Sequence, residues 1–414
     1  MVEPLSRPKR KNPVLATRMP TLPPGGRSRA ALGLTAAAAE GRFALQVCAD
    51  CAAVQYPPRE ACQRCLSVTL RWRTQDGAGT LLATTTLHHS NDLFFRERLP
   101  WRLGMVRLDA GPTVVAHLHG DVAGAPARVA VGARLDRAGQ AVLVALPDKE
   151  TPNMSDDAQL REMTCDPKFR KVLVTDAKTA VGQAVVRALA GAGADIIWAG
   201  HAEPWKKLPG FEGLAALPQV TPVPLDLTDS RSVVELAGEI GGKVDIVVNT
   251  AEYHRAAGIG HRVGVETARS EMDVNYFGLL RLAQAFGPAL RARAADGPTG
   301  ACAWVNLLSI FALANFPAHG TFSASKAAAL SLAQCLRAEM RPAGVRVVNL
   351  FPGPIDDEWN QLLPPPKLGP DALAKAIVKA LKDGVEDVYP GDVAQEWLER
   401  WRDNPKALER EVAG

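Results

Sequence analysis

The sequence predicts a multi-domain protein in which a cysteine-paired, all-β N-terminal part precedes an α/β doubly wound domain. Three observations predict it. Cys48-x2-Cys51 and Cys62-x2-Cys65 stand ten residues apart. Five short strand-like runs follow between Leu70 and Leu146, and from Lys171 onward apolar strands alternate with helices for roughly 220 residues. With 414 residues, 47% of them hydrophobic and 22% charged, the chain can bury at least two cores. A disordered or fibrous protein is excluded.

Residues 1–29 read as a basic, proline-rich arm. Residues 1–30 hold seven cations (Arg7, Lys9, Arg10, Lys11, Arg18, Arg27, Arg29) against Glu3, so the formal +4 of the chain resolves into +6 here and −2 elsewhere. Six prolines within the first 26 residues oppose a transit helix and favour an extended arm. No apolar run approaches the roughly 18–20 residues of a membrane span, so the expectation is a cytoplasmic protein without a membrane partner. Residues 30–68 form the cysteine module, opened by AALGLTAAAAE (30–40), a short helix that Gly41 is placed to end. Residues 69–148 hold the five strand-like runs LLATTTLHH, RLGMVRLD, TVVAHLHG, ARVAVGARLD and AVLVALP, parted by turn residues such as Asp76-Gly77 and Gly111-Pro112. They predict a small all-β barrel or sandwich. Residues 149–170 are polar without an apolar period, and read as the interdomain linker. Residues 171–414 carry the doubly wound pattern: strands at 172–175, 195–199, 220–226, 245–249, 303–309 and 345–351, with helices at about 181–193, 268–294 and 323–341.

Paired CxxC knuckles bring the thiolates of Cys48, Cys51, Cys62 and Cys65 within reach of one tetrahedral Zn²⁺. Four thiolates leave no open coordination position, so this zinc ribbon is structural. Cys165, Cys302 and Cys335 read as incidental. His117 and His119 fall on one strand face, but no third ligand accompanies them, and they read as surface or interface residues. A ribbon with a barrel and a basic arm also suits nucleic acid. Binding a strand calls for aromatic platforms among the cations, and Trp72, Phe94, Phe95 and Trp101 are few, which argues against that partner.

The run GRFALQVCADCAAVQYPPREACQRCLS, followed by LGMVRLDAGPTVVAHLHGD, resembles the zinc-ribbon plus OB-fold proteins that accompany thiolases and thiolase-like aldolases acting on acyl-CoA thioesters. The resemblance spans about residues 30–147. It implies an accessory module that docks a thiolase or aldolase and helps to shape an acyl-CoA channel.

From Lys171 to about Asp392 the chain is similar to the short-chain dehydrogenase/reductase family, a Rossmann fold. VLVTDAKTAVG occupies the place of the glycine-rich turn, with Asp176, Ala180 and Gly182 at its glycine positions. LDLTD puts Asp226 at the adenine-binding position, NTAE (249–252) stands for NNAG with Asn249 leading, and Gly353 lies in the PG element that lines the nicotinamide pocket. Asn275, Ser309 and Lys326 match the asparagine, serine and lysine of the catalytic set, while Phe322 stands where the family has its tyrosine. The departures meet at one cleft. Phe322 cannot exchange a proton, a role that general acid–base catalysis values at about 10²–10⁴-fold. Asp176 and Glu252 bring negative charge to a site for two phosphates, and Ala180 adds a methyl group there. The resemblance therefore implies a catalytically impaired dehydrogenase domain whose NAD(P) binding is in doubt, kept for assembly, with pairing to an active short-chain dehydrogenase subunit as one outcome. The alternative is an active NAD(P)-dependent 3-hydroxyacyl-CoA dehydrogenase whose proton donor has moved, for instance to Tyr253 or Tyr276.

Overall fold

The computed structural model describes residues 1–7, 20–203, 209–261, 263–297 and 300–412. Most of the basic stretch of the arm, residues 8–19, lies outside the described residues. The chain divides into two compact units, the first built on Thr21–Asp166 and the second on Pro167–Leu381 with Glu386–Gly414.

In the first unit, helix α1 (Leu32–Ala39) precedes a three-stranded antiparallel sheet of order β2-β1-β3, with β1 Ala44–Cys48, β2 Val54–Gln55 and β3 Leu70–Thr74. Five strands then close a barrel in the order β4-β5-β6-β8-β7: β4 Ala78–Leu87, β5 Trp101–Leu108, β6 Thr113–Leu118, β7 Ala127–Leu135 and β8 Ala141–Pro147. Alternation is clear in β6, where Val114, Ala116 and Leu118 are buried while Thr113 and Val115 are exposed. Gly77 lets β4 start tightly against β7, since a Cβ there would collide with the Val131 carbonyl oxygen, and its φ is +78°.

Two expectations need correction here. Residues 149–170 are more than a tether. Asp157 caps a short helix (Ala158–Arg161), the Gln159 side chain binds both the N–H (2.7 Å) and the carbonyl (3.1 Å) of Arg102 on β5, and Leu160 and Met163 pack with Phe94 and Trp101. The few apolar residues needed for this sit among polar ones, so no period announced them. Nor is His119 at the surface, while His117 is half-buried. His119 is 1% exposed and spends both ring nitrogens on the barrel, facing the Met154 carbonyl and the Asp121 N–H, while His117 accepts from Trp101 Nε1 at 2.8 Å. The described ends of the arm are also tied to this unit, with Leu5 N donating to Asp156 of the 149–170 segment and Thr21 Oγ1 to Glu97 in the connection from β4 to β5.

The second unit is a seven-stranded parallel sheet of order β11-β10-β9-β12-β13-β14-β15. Its strands are β9 Lys171–Val174, β10 Ile196–His201, β11 Val220–Pro224, β12 Ile246–Asn249, β13 Ala303–Leu307, β14 Arg346–Leu350 and β15 Asp387–Val388. β12, β13 and β14 are buried along their whole length, as a sheet covered on both faces requires. The strand order reverses between β9 and β12, which opens a crevice at the carboxyl ends of those strands. The helix expected at 268–294 is interrupted: α-helix Glu266–Met272 passes through a π-turn, Asp273–Gly278, before α-helix Leu279–Arg293. The extra residue in that turn carries Asn275 to the interior, where it is 5% exposed.

Candidate functional site

The first site is the cysteine cluster. The four Sγ atoms of Cys48, Cys51, Cys62 and Cys65 lie within 4.8 Å of one another, with Cys48–Cys65 and Cys51–Cys62 both at 3.6 Å. A tetrahedron with Zn–S bonds of about 2.3 Å has edges of about 3.8 Å, so the donor set fits zinc. The knuckle backbone favours thiolates: N–H groups of Cys65 and Arg64 hold the Cys62 thiol down at about 6, and those of Cys51 and Asp50 lower Cys48. A buried glutamine pair that spacing did not flag ties the knuckles together. Gln46 Oε1 accepts from Arg59 N at 2.8 Å and Gln55 Nε2 at 3.0 Å, and Gln55 Oε1 accepts from Gln63 N at 3.0 Å.

The second site is the crevice between β9 and β12. The turn after β9 is knitted to β12 by Thr175 Oγ1, which donates to Asn249 Oδ1 (2.9 Å) and accepts from Thr250 N (3.1 Å), and by Thr250 Oγ1, which donates to the Asp176 carbonyl (2.8 Å). Asp176 folds back to accept from Lys178 N at 3.0 Å. Burial pushes its carboxyl above the usual range, Lys178 opposes this, and the charge of Glu358 adds to it. Thr179 Oγ1 caps helix Ala180–Gly191 by accepting from Gly182 N. Ala180 is exposed at the first position of that helix. Gly182 is required by the fold, because a Cβ there would strike the Asp176 carbonyl oxygen. Asp226 uses its carboxylate on Thr228 N and Oγ1 at 2.8 and 2.7 Å, and Gly353 lets the chain approach Val393.

At the other end of the crevice, helix Gly320–Met340 presents Phe322 and Lys326 one turn apart. Lys326, 1% exposed, reaches the Leu307 carbonyl at 3.0 Å and is bound by Glu252 Oε2 at 2.7 Å. Phe322 is covered by the His254 ring, stacked at 3.8 Å and 20°. His254 Nε2 in turn meets His319 Nδ1 at 2.6 Å. The neutral form of both rings is favoured: burial, then the charge of neighbours, presses His254 down to about 3, and burial presses His319 down to about 4. Asn275 holds Tyr253 by both backbone groups (3.0 and 2.9 Å) and donates to Ser325 Oγ at 2.8 Å. Ser309 Oγ accepts from Phe311 N at 3.2 Å and donates to the Pro352 carbonyl at 3.4 Å. Of the phenols weighed as replacement donors, Tyr253 lies 5.8 Å from Trp359 with the Arg255 guanidinium 4.8 Å over its ring, and Tyr276 packs edge-on against Phe277.

Asp357 completes the acidic lining. Its carboxyl is pushed up to about 6, first by burial and then by the charge of Glu252, against hydrogen bonds from Asn360. Two features work against a bound dinucleotide: the Lys326 ammonium is already held by Glu252, and the Asp176 carboxyl stands in the turn after β9, where a pyrophosphate would bring further negative charge.

Zinc knuckles, a five-stranded barrel and a doubly wound sheet with its crevice at the strand-order reversal define a ribbon–barrel module fused to a dinucleotide-type α/β unit. Family models agree: residues 35–71 match the ChsH2 rubredoxin-like zinc ribbon domain, residues 72–140 the ChsH2 C-terminal OB-fold domain, and residues 170–366 short chain dehydrogenase. An uncharacterized oxidoreductase of Staphylococcus aureus is 30% identical over 215 residues, covering 50% of this chain and 89% of that protein. Dehydrogenase/reductase SDR family member 7C of Homo sapiens is 32% identical over 192 residues, covering 44% and 59%. Among solved structures, a short chain dehydrogenase from Burkholderia cenocepacia in complex with NADP superposes with a TM-score of 0.54 at 34% identity, over 60% of this chain and 99% of that one. The chain belongs to the short-chain dehydrogenase/reductase family, with ChsH2-type zinc ribbon and OB-fold domains at its N-terminal end. Among the described residues no helix is long and apolar enough to cross a membrane.

Proposed function

We propose that this protein is an accessory component of an acyl-CoA-processing complex, in which the ribbon and barrel dock a thiolase or thiolase-like aldolase and the dehydrogenase-like unit serves assembly in place of hydride transfer. The observation that carries the second half is the Glu252–Lys326 pair beside Phe322. In a working member of the family the lysine serves cofactor and proton relay; here a carboxylate of the chain holds it, and the neighbouring ring has no proton to give. The first half is supported by the ChsH2-type match over residues 35–140. Zinc held by Cys48, Cys51, Cys62 and Cys65 supplies rigidity to the docking module. Pairing of the second unit with an active short-chain dehydrogenase subunit extends the same reading.

Co-expression with a thiolase-like partner followed by size exclusion tests the docking. Co-elution supports the proposal, and separate elution removes it. Turnover of a 3-ketoacyl-CoA that persists with Phe322 in place and falls on Lys326→Ala would instead establish an active dehydrogenase.

A further inference from the structure

The barrel unit holds a cavity that neither the zinc site nor the crevice uses. It measures about 180 Å³ and is lined by Phe94, Phe95, Trp101, Val142 and Met163, together with His117 and with Pro23 and Arg27 of the arm. A dry apolar cavity of about 150 Å³ admits benzene, so this one is ring-sized. Its walls are preorganised: Phe95 meets Phe94 and Trp101 edge-on at 5.2 and 5.3 Å, and Trp101 is fixed by its hydrogen bond to His117 Nδ1. That bond places the His117 proton on Nε2, leaving a neutral donor.

The charged residues that line it, Arg27, Asp136 and Glu162, are unequal in their commitments. Glu162 is held by Arg98 at 3.0 Å and Arg137 at 3.9 Å, and Asp136 Oδ1 accepts from Ala138 N and Gln140 N, both at 2.9 Å. Arg27 is exposed and reaches only the carbonyls of Pro24 (3.5 Å) and Gly26 (3.3 Å), with no carboxylate in ion-pair range among the described residues. A guanidinium with weak backbone contacts, at the mouth of a ring-sized apolar cavity, suits an anion attached to a ring. We propose that this cavity binds a monocyclic aromatic or alicyclic carboxylate, with the ring between Phe95, Trp101 and Val142 and the carboxylate at Arg27. The proposal is independent of what the protein docks and of whether the second unit is active.

The test is ¹⁹F NMR of 4-fluorobenzoate titrated with the full-length protein, with 4-fluorobenzamide as the neutral isostere. Saturable binding is expected with Kd of about 1 mM or tighter. Arg27→Ala, at an exposed position, should weaken the carboxylate about tenfold and remove its advantage over the amide. Val142→Phe should fill the cavity and abolish binding of both. Absence of saturable binding to the parent protein overturns the proposal, as does carboxylate binding that Arg27→Ala leaves unchanged.

Discussion

Replacing Glu252 by Gln removes the carboxylate paired with Lys326 and leaves the rest of the crevice in place. The Lys326 side chain is 2% exposed and that of Glu252 10%, with 2.7 Å between charged atoms. Water therefore screens the pair little, and the ammonium would keep neutral partners in place of its carboxylate, among them the Leu307 carbonyl. Stranding a buried charge costs about 3–5 kcal/mol; the lower figure applies, since the glutamine oxygen can still accept a hydrogen bond. With a urea m-value of about 2 kcal/mol/M, the midpoint for the second unit should fall by about 1.5 M. Because the chain has two units, the transition should be read by hydrogen exchange on peptides from β12 and from helix Gly320–Met340. Adding Lys326→Met to Glu252→Gln should recover most of the loss, because removing both charges ends the desolvation penalty. A single variant within about 0.5 kcal/mol of the parent, or no recovery in the double variant, would refute the reasoning.

Three further outcomes follow. Asp357, raised to about 6, binds its proton more tightly folded than unfolded, so its contribution is favourable at low pH and is lost as pH rises through about 6. Asp357→Asn should therefore stabilise the protein at pH 7, with the gain fading towards pH 4, in paired urea melts. Gly182→Ala should cost about 1–3 kcal/mol through the clash with the Asp176 carbonyl, whether or not a cofactor is ever bound; a neutral effect would show that the turn is looser than described. Purified protein should contain about one zinc per chain by metal analysis and lose it in Cys62→Ser, with proteolytic cutting appearing between Ala44 and Thr74; retention of zinc would contradict the four-thiolate site.

What was legible in the sequence was local or periodic. The CxxC knuckles depend on spacing, the barrel strands on alternation and the parallel strands on unbroken apolar runs, so each was visible in a short window. The i, i+4 relation of Phe322 to Lys326 is likewise fixed by the helix. The contacts that decide the chemistry of the crevice are not local. Glu252 could be seen to replace a glycine, but its reach to Lys326, from the end of β12 to a distant helix, exists only in the folded sheet. His254 and His319 are 65 residues apart and meet through the same layering. The π-turn at Asp273–Gly278 left no mark on an otherwise helical pattern, although Asn275, read for its chemistry, is the residue that turn delivers. The packing of Leu160 and Met163 onto the barrel was hidden because two apolar residues among polar ones have no period.

Calorimetric titration of the full-length protein with NADH and NADPH tests the central claim most directly. With Lys326 held by Glu252 and carboxylates lining the crevice, no saturable binding is predicted up to about 1 mM cofactor, the upper end of ordinary enzyme affinities. Saturable micromolar binding of either cofactor to the parent protein would contradict the account.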